Sequence, residues 1–221
     1  MIHRGFRSGS AVVIDPPQSV FSTTFPDDEN PIGADWLNGE ADGLGWRNFK
    51  TIGGIACAAH TSADPTPPFD DAIAQVKSSV IALPANHYIE GIVKKVGGYN
   101  PGVTHELGLF VRFLISANSA SGYEAYLNFS GNHTLVRWNG PLNDFTPLAS
   151  GNISTPTTPD DLDVVRFEAD GTTISFYQNG NLRTQVTDSD FATGQTGLQS
   201  FMVVGGTPES YGYYSITTGP L

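Results

Sequence analysis

The residues best equipped for chemistry in this chain are acids, aromatics and one arginine set on short apolar runs. Tyr123 to Leu127 alternates, placing Tyr123, Ala125 and Leu127 on one face of a strand and Glu124 and Tyr126 on the other. Arg112 lies within Leu107-Gly-Leu-Phe-Val-Arg-Phe-Leu-Ile115, and Trp138 closes Thr134-Leu-Val-Arg-Trp138. Arg112, Glu124, Tyr126 and Trp138 together supply what a sugar site needs, an aromatic platform beside hydrogen-bonding groups. Trp46, Tyr99 and Tyr123 are further platform candidates. A tyrosine base with an arginine to neutralise a uronate would instead serve a polysaccharide lyase. Two acidic clusters, Asp27-Asp28-Glu29 and Asp188 with Asp190, offer the hard oxygen ligands that Ca²⁺ takes; the competing reading is that they cap turns. Asp160-Asp161-Leu162-Asp163 follows Pro159 and reads as a solvated turn at a strand start. The five histidines, His3, His60, His87, His105 and His133, show no zinc-ligand spacing with Cys57. A nucleophilic serine has no Gly-x-Ser-x-Gly elbow to sit on.

These residues need a β framework to hold them. Strand-like runs recur at short intervals along the chain, with Gly and Pro as punctuation, the spacing of an all-β sandwich or barrel. The run from Leu107 to Ile115 is apolar on nearly both faces and belongs in the middle of a sheet. Asp170-Gly171 and Asn179-Gly180 each stand between β-branched and aromatic runs and predict two-residue hairpin turns. Further strands are expected over 11–15, 20–25, 44–49, 51–58, 75–83, 88–96, 162–169, 172–177, 182–187, 197–204 and 211–217. Residues 70–83 also fit a helical spacing through Ile73, Val76, Val80 and Leu83, and the strand is preferred because its surroundings are β.

The chain has 221 residues, the size of one large sandwich. Its single cysteine, Cys57, excludes an intrachain disulfide and sits in an apolar run like a small core residue. Acids outnumber bases 22 to 11 and the net charge is −11, which argues against nucleic acid and anionic membranes as partners. Three Asn-x-Ser/Thr triplets start at Asn128, Asn132 and Asn152. No apolar stretch approaches the roughly 18–20 residues that span a bilayer, and Met1 is followed by no apolar leader. The expectation is a protein made in the cytoplasm. Arg4 and Arg7 precede the first acid, Asp15, so residues 1–19 are expected to form an extended docking arm ahead of a domain over 20–221.

An ordered series of segments resembles the laminin-G-like branch of the concanavalin A-like lectin/glucanase superfamily, over roughly residues 20 to 217. It runs through Phe25-Pro-Asp-Asp-Glu-Asn-Pro-Ile-Gly-Ala-Asp-Trp36, Tyr88-Ile-Glu-Gly-Ile-Val93 and Gly108-Leu-Phe-Val-Arg112, the last two as paired inner strands. Gly122-Tyr-Glu-Ala-Tyr126 and Leu135-Val-Arg-Trp138 match the next pair. The most characteristic part is Arg166-Phe-Glu-Ala-Asp-Gly-Thr-Thr-Ile-Ser-Phe-Tyr-Gln-Asn-Gly180, and Thr187-Asp-Ser-Asp-Phe-Ala-Thr-Gly-Gln-Thr-Gly-Leu198 completes the series. The resemblance implies a two-sheet antiparallel β-sandwich, a jelly roll. It does not fix a function, because members bind sugars, cleave them, bind proteins or serve as structural modules.

The glucanases of this superfamily carry paired carboxylates on a Glu-x-Asp-x-x-Glu strand, which this chain lacks. Many relatives hold one structural Ca²⁺, but the closing strand Tyr213-Tyr-Ser-Ile-Thr217 lacks the acid that often completes that site. The expected function is therefore a non-catalytic recognition or structural module. A surface-type module without an export signal fits a bacteriophage virion protein, a capsid-decoration or tail-associated subunit. It would be attached through its arm to another virion protein, bind surface polysaccharide, and assemble as a homo-oligomer if its role is structural. The alternative is a carbohydrate-binding module, lyase or glycoside hydrolase of bacterial origin.

Overall fold

A computed structural model describes residues 19–40, 42–60, 71–96, 105–128, 132–141, 144–152, 159–202 and 207–221. Fifteen strands lie among the described residues. They are β1 (Phe21–Thr24), β2 (Trp36–Asn38), β3 (Phe49–Ile52), β4 (Ile55–Ala58), β5 (Ala72–Val76), β6 (His87–Lys95), β7 (His105–Ser116) and β8 (Ser119–Asn128). They continue with β9 (Asn132–Pro141), β10 (Phe145–Asn152), β11 (Val164–Asp170), β12 (Thr173–Gln178), β13 (Asn181–Thr187), β14 (Gln195–Met202) and β15 (Tyr211–Pro220). Among the described residues, no helix is long and apolar enough to cross a membrane.

All ladders between named strands are antiparallel and form two sheets. One runs β13-β12-β11-β6-β15-β4-β3, with β1 also pairing β15; the other runs β10-β9-β8-β7-β14-β5-β2. The domain is the two-sheet antiparallel sandwich that the sequence predicted. Its main core lies between the sheets, where period-two alternation delivers Ile89 and Val93 from β6, Leu107, Leu109 and Val111 from β7, and Tyr123, Ala125 and Leu127 from β8. Strand β7 is central and buried on both sides. Its other face carries Phe110, Phe113 and Ile115 into a second apolar cluster with Trp46, Ile73, Val136 and Trp138.

Five sequence expectations need correction. The strand expected over 75–83 is β5, which ends at Val76 and is followed by a turn. Residues 51–58 are not one strand but the β3–β4 hairpin, turned by Gly53-Gly54 at φ +58° and +83°. Residues 44–49 hold no continuous strand before Phe49, only an isolated bridge at Arg47. The first predicted hairpin loop is shifted by one residue: Asp170 pairs with Thr173, so the loop is Gly171-Thr172 with Gly171 at φ +55°. Finally, β6 and β7 do not pair with each other but lie in opposite sheets. Strand β10 was not foreseen. Asn179-Gly180 is the loop expected, with both residues at positive φ (+52° and +74°) as a type I′ turn requires. The expected strand over 11–15, the arm with Arg4 and Arg7, and Tyr99 lie outside the described residues.

Candidate glycan-binding face

Three of the four predicted sugar-site residues share one surface, the outer face of the seven-stranded sheet. Cross-strand register builds it. Gly108 on β7 stands opposite Tyr126 on β8 and Gln199 on β14, and Gly122 stands opposite Trp138 on β9. Glu124 projects between them, and its carboxylate Oε2 accepts a hydrogen bond from the Trp138 indole N–H at 2.7 Å. The same register adds two further acids to this face. Glu106 sits one period before Gly108 on β7, and Asp71 immediately precedes β5.

The acids are held in distinct ways. Asn128 Nδ2 donates to Glu106 Oε1 at 3.1 Å. Gln199 Nε2 donates to Asp71 Oδ1 at 2.8 Å. Glu124 is only 2 % exposed. Burial, with the negative charges of Asp71 and Glu106, pushes its carboxyl well above the usual carboxylate range, against the pull of the Trp138 N–H. The neutral acid is therefore the stable form over a widened pH range. Trp138 is a core residue, not an open platform: it is 7 % exposed and meets Trp46 edge-on at 5.2 Å. Tyr126 is half-buried, and burial keeps its phenol protonated to higher pH, with Glu106, Glu124 and Asp71 adding to the shift and a hydrogen bond with Thr134 opposing it.

Gly108 forms the floor between these groups. A Cβ there would lie 2.8 Å from Gln199 Oε1 and 3.0 Å from Glu124 Oε1. Gln199 is 1 % exposed, and among the described residues nothing donates to its Oε1. The face thus presents half-buried acceptors at Asp71 and Glu106 and a phenolic donor at Tyr126, over buried polar groups. That is a hydrogen-bonding lattice for a polyhydroxylated ligand.

Arg112 does not join it. A bulge interrupts the β7–β8 register between Val111 and Leu114, and Arg112 adopts φ +49°. Phe113 takes the outward position that unbroken alternation would have given Arg112. The Arg112 backbone N–H instead donates to His87 Nε2 at 3.1 Å, and its guanidinium donates to the carbonyls of Ala85 and Phe191. His87 accepts at Nε2 because its Nδ1 faces the Pro84 carbonyl at 2.7 Å, the geometry of a neutral ring. Burial and Arg112 favour that neutral form. The lyase arrangement, with Arg112 beside Tyr126, is not assembled.

The calcium candidates are not brought together either. Asp28 caps the β3–β4 turn by accepting the Gly53 N–H at 2.8 Å, and the Asp27 carbonyl accepts from Thr51. Asp188 and Asp190 follow β13, at the opposite edge of that sheet from β3. Asp188 accepts from Tyr123 and from Arg137, both at 2.6 Å, and Arg137 also reaches Asp190. Burial raises the Asp188 carboxyl, but the Tyr123 hydroxyl, the Asp190 N–H and Arg137 outweigh it and hold it below the usual range. Among the described residues, no group of three or more His, Cys, Asp or Glu side chains is placed to hold a metal ion. The acids of 160–163 act as turn caps: Asp163 accepts the Asp160 N–H and Gln178 Nε2, and Asp161 accepts the Lys95 N–H.

No protein-family model matches the chain, and no curated protein sequence matches it. Solved structures match it in shape. The carbohydrate-binding module CBM66 from Bacillus subtilis superposes with a TM-score of 0.52 and 17 % identity, covering 76 % of this chain and 92 % of that one. The laminarinase from Rhodothermus marinus gives 0.53 at 12 % identity over 93 % and 99 % of the two chains. The CBM2 module of the evolved Dit of Lactobacillus casei BL23 phage J-1 gives 0.54 at 10 % identity over 91 % and 96 %. At such identities the likeness speaks for architecture alone. The chain has the jelly-roll, concanavalin A-like sandwich fold.

Proposed function

We propose that this domain binds neutral polysaccharide through the outer face of its seven-stranded sheet and does not cleave it. The observation that carries this reading is the placement of Glu124. The acid best suited to donate a proton lies 2 % exposed beneath that face with its carboxylate engaged by Trp138, while the half-buried groups above it, Asp71, Glu106 and Tyr126, are suited to holding hydroxyls. The acids also disfavour an anionic polymer, and Arg112 is not there to offset them. Affinity gel electrophoresis against laminarin, levan and galactan tests the reading. Retardation by at least one polymer is expected, weakened at least tenfold in Tyr126→Ala, with no reducing ends released. Release of reducing ends that disappears in Glu124→Gln would make the domain a hydrolase instead.

A second reading concerns where the domain works, and the shared fold of the phage J-1 Dit module favours it. We infer a virion-surface module anchored through residues 1–19, with Arg4 and Arg7 meeting an acidic partner protein. Deleting residues 1–14 should abolish attachment to particles while preserving the sandwich and its sugar binding. A truncated protein that still decorates particles would remove the arm from the account.

A further inference from the structure

We propose a second saccharide site on the opposite side of the molecule, the outer face of the eight-stranded sheet, built around Arg166 and Tyr177 and suited to a neutral sugar chain. It shares no residue with the face containing Tyr126 and does not rest on that reading. Register places Glu90 on β6, Arg166 on β11, Tyr177 on β12 and Leu182 on β13 in one row across four neighbouring strands. Glu168 stands beside Arg166 one period along β11. A groove of about 390 Å³ is lined by Glu90, Val164, Arg166, Glu168, Tyr177 and Gly180, within the roughly 300–1,000 Å³ of small-molecule sites.

The chemistry of the row selects the ligand. The Arg166 guanidinium lies 3.7 Å over the Tyr88 ring. Its Nε donates to Glu168 Oε1 at 2.5 Å, and its Nη1 stands 3.6 Å from Glu90 Oε2. The cation is matched by two carboxylates, so an anionic ligand gains nothing here. The three side chains remain 29 %, 20 % and 36 % exposed, leaving N–H donors and carboxylate lone pairs facing the groove. Tyr177 and the exposed Leu182 supply the apolar end of the same row. A sugar ring has this dual character, with a C–H face for an aromatic ring and a hydroxyl edge for planar donors and acceptors. Neighbouring strands are about 4.8 Å apart, close to the length of one pyranose in an extended chain, so successive row positions can address successive sugars. The stacked and paired guanidinium is already fixed, which lowers the entropic cost of binding.

Amide-resolved NMR of the full chain, titrated with laminarihexaose, cellohexaose, mannohexaose and levan oligosaccharide, tests the site, with trigalacturonate as charged control. Amides of residues 88–90, 164–168 and 177–182 should shift with at least one neutral chain. Tyr177→Ala should weaken that binding at least tenfold, and Arg166→Lys, which keeps the charge but loses the planar fork, should weaken it severalfold. Shifts confined to the surroundings of Tyr126 would overturn this site while leaving the other face standing; shifts confined to the row would do the reverse. Response to trigalacturonate alone, unchanged affinity in both variants, or self-association through Tyr177 and Leu182 in sedimentation would also overturn it.

Discussion

Glu124 and Gly108 show how single residues set the character of the predicted binding face. A buried carboxyl whose folded-state pKa is raised costs nothing below about pH 4.3, where it is protonated in both folded and unfolded chains. Above that pH the unfolded chain ionises first, so the native state loses stability until the folded pKa is passed. Glu124→Gln keeps an acceptor for the Trp138 indole and removes the titration. Its stability relative to the native protein should therefore rise from pH 4.5 towards neutrality, by up to about 1.4 kcal/mol per pH unit. Urea unfolding at a series of pH values reads this directly; parallel curves would show that the folded-state pKa of Glu124 is not raised. Gly108→Ala should cost about 1–3 kcal/mol by overpacking, because the new Cβ meets Gln199 and Glu124. It should also weaken polysaccharide retardation, since Gln199 can no longer hold Asp71 as before. Unchanged binding in a folded Gly108→Ala protein would remove Gln199 from the site. The alternation of residues 123–127 already separated Glu124 and Tyr126 from the core, so their face was legible locally. Glu106 and Asp71 were not, because which residues stand beside them depends on cross-strand register, and that is fixed by distant partners.

At the scale of the element, the β7 bulge decides the most. It turns Arg112 out of the predicted site, satisfies its N–H on His87 in the other sheet, and directs the Ile115 N–H to Gln75 Oε1 at 2.9 Å. Two glycines make room for it. A Cβ on Gly194 would run into the backbone of Arg112 and Phe113, and one on Gly122 would meet the same turn of chain. Gly194→Ala should therefore destabilise the fold by at least about 2 kcal/mol, more than an ordinary strand substitution, because the obstructing atoms are backbone. Denaturant midpoints of Gly194→Ala and of the exposed-turn Gly180→Ala compare the two; a cost for Gly194→Ala no greater than about 1 kcal/mol, typical of a glycine turn, would contradict the steric account. The sequence carries no local mark of this bulge, since the run from Leu107 to Ile115 is apolar on nearly both faces and reads as one regular strand. Its Asn179-Gly180 turn, by contrast, is explicit, because glycine and asparagine accept those dihedrals readily, whereas Gly53-Gly54 lies inside a run that also reads as one strand.

The whole molecule is two sheets pinned through their core by tyrosines. Tyr213 of β15 reaches across to donate to the Gly108 carbonyl at 2.8 Å, directly beneath the floor of the predicted binding face. Burial, with the Glu124 charge adding, pushes its phenol well above the ordinary range, so it remains a donor. Tyr213→Phe leaves that buried carbonyl without the bond and should cost about 1–3 kcal/mol in urea unfolding. Because Gly108 then loses an anchor, sugar affinity should fall as well. An unchanged midpoint would mean that the carbonyl is satisfied otherwise.

Taken alone, the sequence determined the fold class, the strand spacing, the central place of β7 and the side of β8 on which Glu124 and Tyr126 stand. These follow from period-two patterning and turn chemistry, which act over a few residues. Only the tertiary structure decided that Arg112 leaves the face proposed to bind sugar, that the acids near Asp27 and Asp188 lie at opposite edges of one sheet, and that Glu106, Asp71 and Gln199 gather around Gly108. It also decided that Glu90, Arg166 and Tyr177 form a row on the far side. Those outcomes depend on register, on one bulge and on burial, all set by contacts between segments far apart in the chain.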